Sequence, residues 1–314
     1  MLCSRNLSQW MFYSVFIMLL LSGCNREGIA PSDQNTPTPS PVISFSGDWE
    51  QGLRGPGNWG SIQVVAADRF QRVTSPVRQG IYSARVEVRP GDDPSNYPPP
   101  AIPDRERAQV LVMTDSAGNE LNENEASIGT TRYYAFSVML NSDWVSPKPD
   151  PTTGWLWSSI FGLHGPDKYA CAGAFMFEVY DNFSFYLYTG DMSKPCSDSV
   201  HKHCKDYDFS DNSLNRGHWI DFVIKIKFEK TFTGTVDIWR RNEGQTNFTK
   251  ILSISDVPTL QFNSNMDGTT VLDHYYKHGF YRPKQTTITN ILWLDGLTVG
   301  NTFDVVVSAA FPAP

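Results

Sequence analysis

Basic side chains are in short supply: 26 Lys and Arg stand against 33 Asp and Glu, a formal charge of −7. A nucleic-acid partner normally needs a basic footprint, so that class is set aside, although a local cleft can be basic on an acidic protein. No stretch of residues 42–314 sustains a helical apolar period between recognisable caps, which leaves one all-β domain. No Gly-x-Ser-x-Gly elbow occurs, and the thiols sit in no recognisable catalytic setting, so serine and cysteine hydrolysis have no support. No strand reads Glu-x-Asp-x-x-Glu, the simplest way to hold the two carboxylates, about 5 to 9.5 Å apart, that glycoside hydrolysis requires. Internal repeats are also missing.

Cysteines are few, at 5. An apolar run over residues 10–21 is too short to span a bilayer comfortably and ends in Leu21-Ser22-Gly23-Cys24. It resembles a bacterial lipoprotein signal, which implies a cleaved signal peptide over residues 1–23 and acylation of Cys24. Two acyl signals make a stable anchor. Residues 24–41 are rich in Pro, Ser and Thr and read as a disordered tether. The expected location is the bacterial cell envelope, lipid-anchored, with Asn25 pointing to the outer membrane. Of the remaining thiols, Cys196 and Cys204 bracket a short polar loop and are the expected disulfide, leaving Cys171 free. The alternative is a metal site at His201-Lys202-His203-Cys204, but zinc wants a second ligand group at separated spacing and none is evident.

What the chain does have is aromatic side chains, 9 Trp, 13 Tyr and 19 Phe, a composition suited to strands and to sugar-stacking surfaces. Residues 81–89 alternate strictly, with Tyr82, Ala84, Val86 and Val88 on one side and Ser83, Arg85, Glu87 and Arg89 on the other. Further strands are expected over residues 43–45, 61–65, 108–112, 133–140, 156–164, 175–180, 183–188, 219–228, 235–240, 250–255, 291–299 and 303–307. So many strands with long loops predict two packed antiparallel sheets, a jelly-roll sandwich over residues 42–314. One sheet of such a sandwich is often concave, and its alternating side chains can line a groove. The chain is read as a monomer.

Residues 275–282, Tyr-Tyr-Lys-His-Gly-Phe-Tyr-Arg, alternate in a more telling way. As a strand they place Lys277, Gly279 and Tyr281 on one face and His278, Phe280 and Arg282 on the other. Lys277 and Tyr281 then stand about 13 Å apart at ~3.3 Å per residue, with a bare glycine between them where a polymer can lie. The plainer reading is an amphipathic strand with an exposed lysine.

Five pieces occur in order: Phe45-Ser46-Gly47-Asp48-Trp49-Glu50; Arg85-Val86-Glu87-Val88-Arg89 with Arg105-Glu106-Arg107; Ile160-Phe161-Gly162-Leu163-His164; Gly217-His218-Trp219-Ile220-Asp221-Phe222-Val223; and Lys277-His278-Gly279-Phe280-Tyr281-Arg282. Together they resemble the heparin lyase I-like and broader polysaccharide lyase jelly rolls, whose plan alginate and glucuronan lyases share. The resemblance implies a concanavalin A-like sandwich and β-elimination at the uronic acid of an anionic polysaccharide. Arg107 or Arg105 neutralises the carboxylate, His164 is the base for one sugar epimer, and Tyr281 is the acid, or both acid and base. Lys277, Arg105, Arg85, Gln109 and Arg282 are further candidate contacts to the polymer, and Trp155 and Trp157 candidate sugar platforms. Related lyases often carry a glutamine two residues before the histidine; that position is Gly162, and Gln109 is the expected substitute. Heparin lyases of this kind use calcium, which leaves that ion open as a cofactor, although no acidic loop of recognisable pattern occurs. The competing reading is a non-catalytic cell-surface carbohydrate-binding protein of the same fold.

Overall fold

A computed structural model describes residues 40–94, 105–151, 154, 156–165, 173–265 and 270–311. The chain divides into two units, Met1–Ser40 and Pro41–Pro314. The expected signal peptide, Cys24 and the tether up to residue 39 lie outside the described residues, as do Cys171 and Trp155.

In chain order the strands are β1 Ile43–Gly47, β2 Trp59–Gln63, β3 Phe70–Val73, β4 Ser83–Val88, β5 Arg105–Met113 and β6 Thr131–Leu140. There follow β7 Ser159–His164, β8 Phe175–Val179, β9 Phe183–Asp191, β10 Lys202–Asp208 and β11 Trp219–Lys227. The last five are β12 Gly234–Asn242, β13 Thr249–Val257, β14 Gln261–Phe262, β15 Tyr275–Pro283 and β16 Asn290–Gly300, before a helix α1, Phe303–Ala310. They build two sheets of eight strands. The first runs β13-β12-β11-β6-β16-β4-β3, with β1 also paired to β16; the second runs β10-β9-β8-β7-β15-β5-β2, with β14 beside β9. Apart from the parallel β14–β9 contact, every ladder is antiparallel. The expected sandwich is therefore the observed one.

Period-two alternation puts the core between the sheets. Phe136 and Phe222 of the first sheet meet Phe161 and Phe177 of the second, with ring centroids 5.4 to 5.9 Å apart around Phe136. On β15 the inward set is Tyr276, His278 and Phe280, all buried in the core region. The His278 ring packs against both Trp49 at 6.1 Å and Trp59 at 6.0 Å, which also pack on each other. At one end of the sandwich Glu123 accepts from Arg132 and from the Tyr276 hydroxyl, which also lies 2.5 Å from the Tyr134 hydroxyl.

Residues 303–307, expected as a strand, are helical. Thr302 caps the helix, its hydroxyl accepting from Val305 N, and Asp304 sits in the first turn. Val306, Ala310 and Phe311 pack with Ala135 and Val223 on the outer face of the first sheet. Tertiary burial thus overrides the β preference of three consecutive valines. The close approach requires Gly296, where a Cβ would stand 2.5 Å from the Ala310 carbonyl.

The Cys196–Cys204 disulfide is formed, with Cα atoms 5.6 Å apart. It removes the thiol from the proposed metal cluster, and the two imidazoles face different partners: His201 meets Asp198, while His203 Nε2 lies 2.8 Å from the Tyr207 hydroxyl.

Candidate active site

The second sheet turns one face to the core and presents the other as a platform. On β15 the outward set is Tyr275, Lys277, Gly279 and Tyr281, all as the alternation requires. Register carries the same face onto β5, where Arg107 opposes Tyr281, Gln109 opposes Gly279 and Leu111 opposes Lys277. It continues to β2, where Gln63 opposes Gln109. Toward the other side, β7 places Ser159 opposite Tyr281, Gly162 opposite Lys277 and His164 opposite Tyr275.

Arg107 is the centre of this arrangement. Its side chain is largely sunk, with 7% of the residue exposed, and its guanidinium lies 4.4 Å from the Tyr281 ring centroid. Nη1 donates to Gln63 Oε1 at 3.2 Å, and Nε has no partner among the described residues. A buried guanidinium held by a neutral amide and an aromatic face keeps its charge available, and burial without an anion is costly. Gln109, 1% exposed, also has an unpartnered Oε1. The Tyr281 ring also packs against Trp157 at 5.8 Å. Trp157 therefore packs against the tyrosine, whatever further surface it offers.

Between these walls the floor is bare. Gly279 adopts φ +143°, and a Cβ there would meet the Ala108 carbonyl oxygen at 2.4 Å, so neither the backbone conformation nor the space admits a side chain. The neighbouring strand contributes Gly162.

Three residues stand elsewhere than the sequence reading placed them. His164 shares the outward face but pairs with Tyr275, six positions along the strand from Tyr281, about 20 Å at ~3.3 Å per residue. Its ring packs on Tyr275 at 5.6 Å and its Nδ1 lies 2.6 Å from the Gly165 carbonyl, while Lys277 Nζ sits 5.2 Å from the Tyr275 ring. His164, Tyr275 and Lys277 thus form a second group along the platform, separate from Arg107, Gln109 and Tyr281. Arg85 lies on β4 of the opposite sheet, between Gln71 and Trp293, with its guanidinium on Glu87. It does not reach the platform. Arg282 alternates inward and is fully buried, donating to Glu106 Oε2 at 3.0 Å from Nε, to Asn290 and to the Ile288 carbonyl. Burial pushes its pKa down from the ordinary value while Glu106 opposes the shift.

The Glu106–Arg282 pair therefore clamps β5 to β15 directly beneath Arg107 and Tyr281. Removing one partner leaves an uncompensated buried charge, so Arg282→Met should lower unfolding free energy by about 3 to 5 kcal/mol. A chemical-denaturation midpoint reads this. A variant as stable as the parent but weakened in polymer binding would return Arg282 to the contact surface. Arg105 remains exposed at the end of β5 on the Arg107 face.

A model of the polysaccharide lyase family matches residues 49–298. The chain belongs to that family, and it is a polysaccharide lyase. Among solved structures, the lyase superposes on the endo-β-1,4-glucuronan lyase of the fungus Trichoderma reesei with a TM-score of 0.58 at 15% identity, covering 84% of this chain and 98% of that one. It also matches a glycoside hydrolase family 131 catalytic domain from Coprinopsis cinerea, TM-score 0.48, 12% identity, 86% and 98% covered. A PL-14 alginate lyase from Aplysia kurodai gives 0.48 at 11% identity, with 82% and 98% covered. No curated protein matches the sequence.

Among the described residues of the lyase, no group of three or more His, Cys, Asp and Glu side chains able to hold a metal ion occurs. Sequence reasoning missed Gln63, which holds Arg107. The signal is in the alternation of Ser61, Ile62 and Gln63, which puts Gln63 on the face away from Ile62.

Proposed function

We propose that the lyase cleaves a uronic-acid-containing polysaccharide by β-elimination, with Tyr281 serving as both base and acid. The observation that carries this reading is Arg107: a buried guanidinium on the open sheet face, held by Gln63, lying over the Tyr281 ring. Arg107 and the Gln109 amide face the sugar carboxylate, and the positive charge stabilises the negative charge that builds there as the C5 proton leaves. Tyr281, acting as phenolate, takes H5. The released pair forms the C4–C5 double bond, the C4–O4 bond breaks, and O4 recovers the proton from the Tyr281 hydroxyl. Proton and leaving group are then on the same side of the ring. His164 and Lys277, one group further along the strand, hold a neighbouring part of the anionic chain.

Incubating the lyase with a panel of uronate polymers should yield ultraviolet-absorbing unsaturated ends, with no oxygen from labelled water in the products. Saturated ends carrying solvent oxygen would mean hydrolysis and end this reading.

We also infer that the chain is anchored in the bacterial cell envelope, most simply the outer membrane, through lipid on Cys24, the motif Leu21-Ser22-Gly23-Cys24 supporting this. Expressed with its own N-terminus in a bacterium, the protein should incorporate labelled fatty acid and partition into detergent. Cys24→Ala should abolish both, and label retained by that variant would rule out the site.

A further inference from the structure

Glu123 uses only half of its carboxylate. The residue is 2% exposed; Oε1 accepts from Arg132 Nε and the Tyr276 hydroxyl, while Oε2 is buried with no partner among the described residues. Its neighbour Asn122 donates through Nδ2 to Glu120 at 3.0 Å and leaves a buried Oδ1 likewise without a partner. Both residues line a cavity of about 60 Å³ at this end of the sandwich, walled by Phe45, Met113, Leu121 and Val299. Such a volume takes a few groups of water size, at ~10 to 15 Å³ each, and not a whole sugar ring. The cavity is distinct from the platform. It meets β15 at inward-facing Tyr276, five residues from outward-facing Tyr281, about 16 Å at ~3.3 Å per residue.

The charges at this cavity cancel. Glu123 and Arg132 pair with each other, and burial raises the pKa values of Tyr134 and Tyr276, so both phenols stay neutral. Tyr276 donates to Glu123 and therefore accepts from Tyr134, which leaves neither phenol a hydrogen for a ligand. Arg132 gives Nε to Glu123, keeps its side chain 33% exposed, and has further N–H groups in its guanidinium fork. An entering anion meets Glu123 and an entering cation meets Arg132, so an ion gives up its water for a site of zero net charge. Two free acceptors beside a donor suit a group that both donates and accepts, which among neutral groups is a hydroxyl.

We infer that this cavity binds adjacent hydroxyls on the edge of an uncharged sugar or polyol, a second site apart from the cleavage groove. One hydroxyl donates to Glu123 Oε2 and accepts from Arg132, the next donates to Asn122 Oδ1, and the carbons between them pack on the apolar wall. The rest of the ligand stays at the mouth, where Ser44 is exposed and Asn122 half-buried. A buried carboxylate oxygen left without a hydrogen bond is costly, and ordered water can meet it too, so the experiment separates recognition from hydration.

The full chain is titrated by ligand-observed NMR with methyl β-D-glucopyranoside and glycerol as neutral probes, and with glucuronate, ethanolamine and glycine as anion, cation and zwitterion. The glucoside should bind at least about tenfold more tightly than any of the three charged probes, one decade in Kd. Asn122→Ala should weaken it about three- to tenfold, the share of one hydrogen bond, at an unchanged melting temperature, and Tyr281→Phe should leave it unchanged. Glu123→Gln should abolish it; should that variant melt early, Asn122→Ala still decides. Glycerol matching the glucoside identifies a free polyol as the source of the hydroxyls, and preference for the glucoside identifies a sugar. No binding of either neutral probe means a hydrated cavity only and overturns the inference, as does a charged probe that binds equally well or an affinity unmoved by Asn122→Ala. Loss of binding in Tyr281→Phe would put the probe in the cleavage groove, ending the second site and leaving β-elimination standing.

Discussion

Tyr281→Phe lowers kcat by about 10²- to 10⁴-fold, the usual range for loss of a positioned acid–base group, while polymer affinity stays within a few-fold. Only the hydroxyl is lost. The ring keeps its contacts with Trp157 at 5.8 Å and the Arg107 guanidinium at 4.4 Å, so the platform keeps its shape. The contrast is His164→Ala. Because His164 opposes Tyr275 rather than Tyr281, its loss should appear mainly in KM, as removal of binding equal in ground and transition states. Steady-state assays of unsaturated ends, paired with equilibrium binding, separate the two outcomes. Full activity in Tyr281→Phe would remove the phenol from the mechanism. An equal collapse of kcat in His164→Ala would mean that one sugar touches both side chains.

Acid should destabilise the sandwich before its carboxylates are neutralised. Burial pushes the His278 imidazole down to about 3 and that of His274 down to about 4. Both stay neutral in the fold, whereas in the unfolded chain they protonate near 6.5. As pH falls below that value the unfolded state binds protons the native state refuses, and each histidine removes about 1.4 kcal/mol per pH unit. Half-buried His203 pulls in the same direction. Asp295 works against them: burial holds its carboxyl up at about 7, opposed by the N–H groups of Arg78, Gln79 and Gly296. Its raised pKa favours the fold at low pH, a contribution lost as pH rises from the unfolded value near 3.9 toward 7, so it offsets one histidine. The net slope between pH 6 and 4 is about 1.4 kcal/mol per unit, or about 3 kcal/mol in all. Urea midpoints across that window should fall steadily with acid, and Asp295→Asn should roughly double the slope. A flat profile would show that the two histidines are solvated in solution.

The outward and inward sets of β4 and β15 were legible in the sequence because period two leaves no choice once one face is apolar. That is why Lys277, Gly279 and Tyr281 share a surface and His278 and Phe280 do not. Longitudinal register was not legible. Nothing in Ile160-Phe161-Gly162-Leu163-His164 says which residue of β15 it will face, and the register shift between His278 and Tyr281 sets that alignment. Arg282 was misread for a related reason, since a charged residue at an inward position is intelligible only with its partner Glu106, 176 residues away in sequence. Arg85 is a candidate contact by alternation alone, and alternation tells wet from dry, not one sandwich half from the other; the structure places it on the sheet opposite the platform. Residues 303–307 became a helix because the outer surface over Ala135 and Val223 was there to be covered.

Gly279 bears on how this scaffold can diversify. The oxygen that crowds its missing Cβ belongs to Ala108, the residue between Arg107 and Gln109. Flatness at the centre of the trough is therefore a by-product of how two main chains nestle, settled before any carbohydrate arrives. New tastes in sugar cannot be acquired by building upward from that point; they have to come from the shoulders, where β2, β8 and β10 exchange side chains without disturbing the weave underneath.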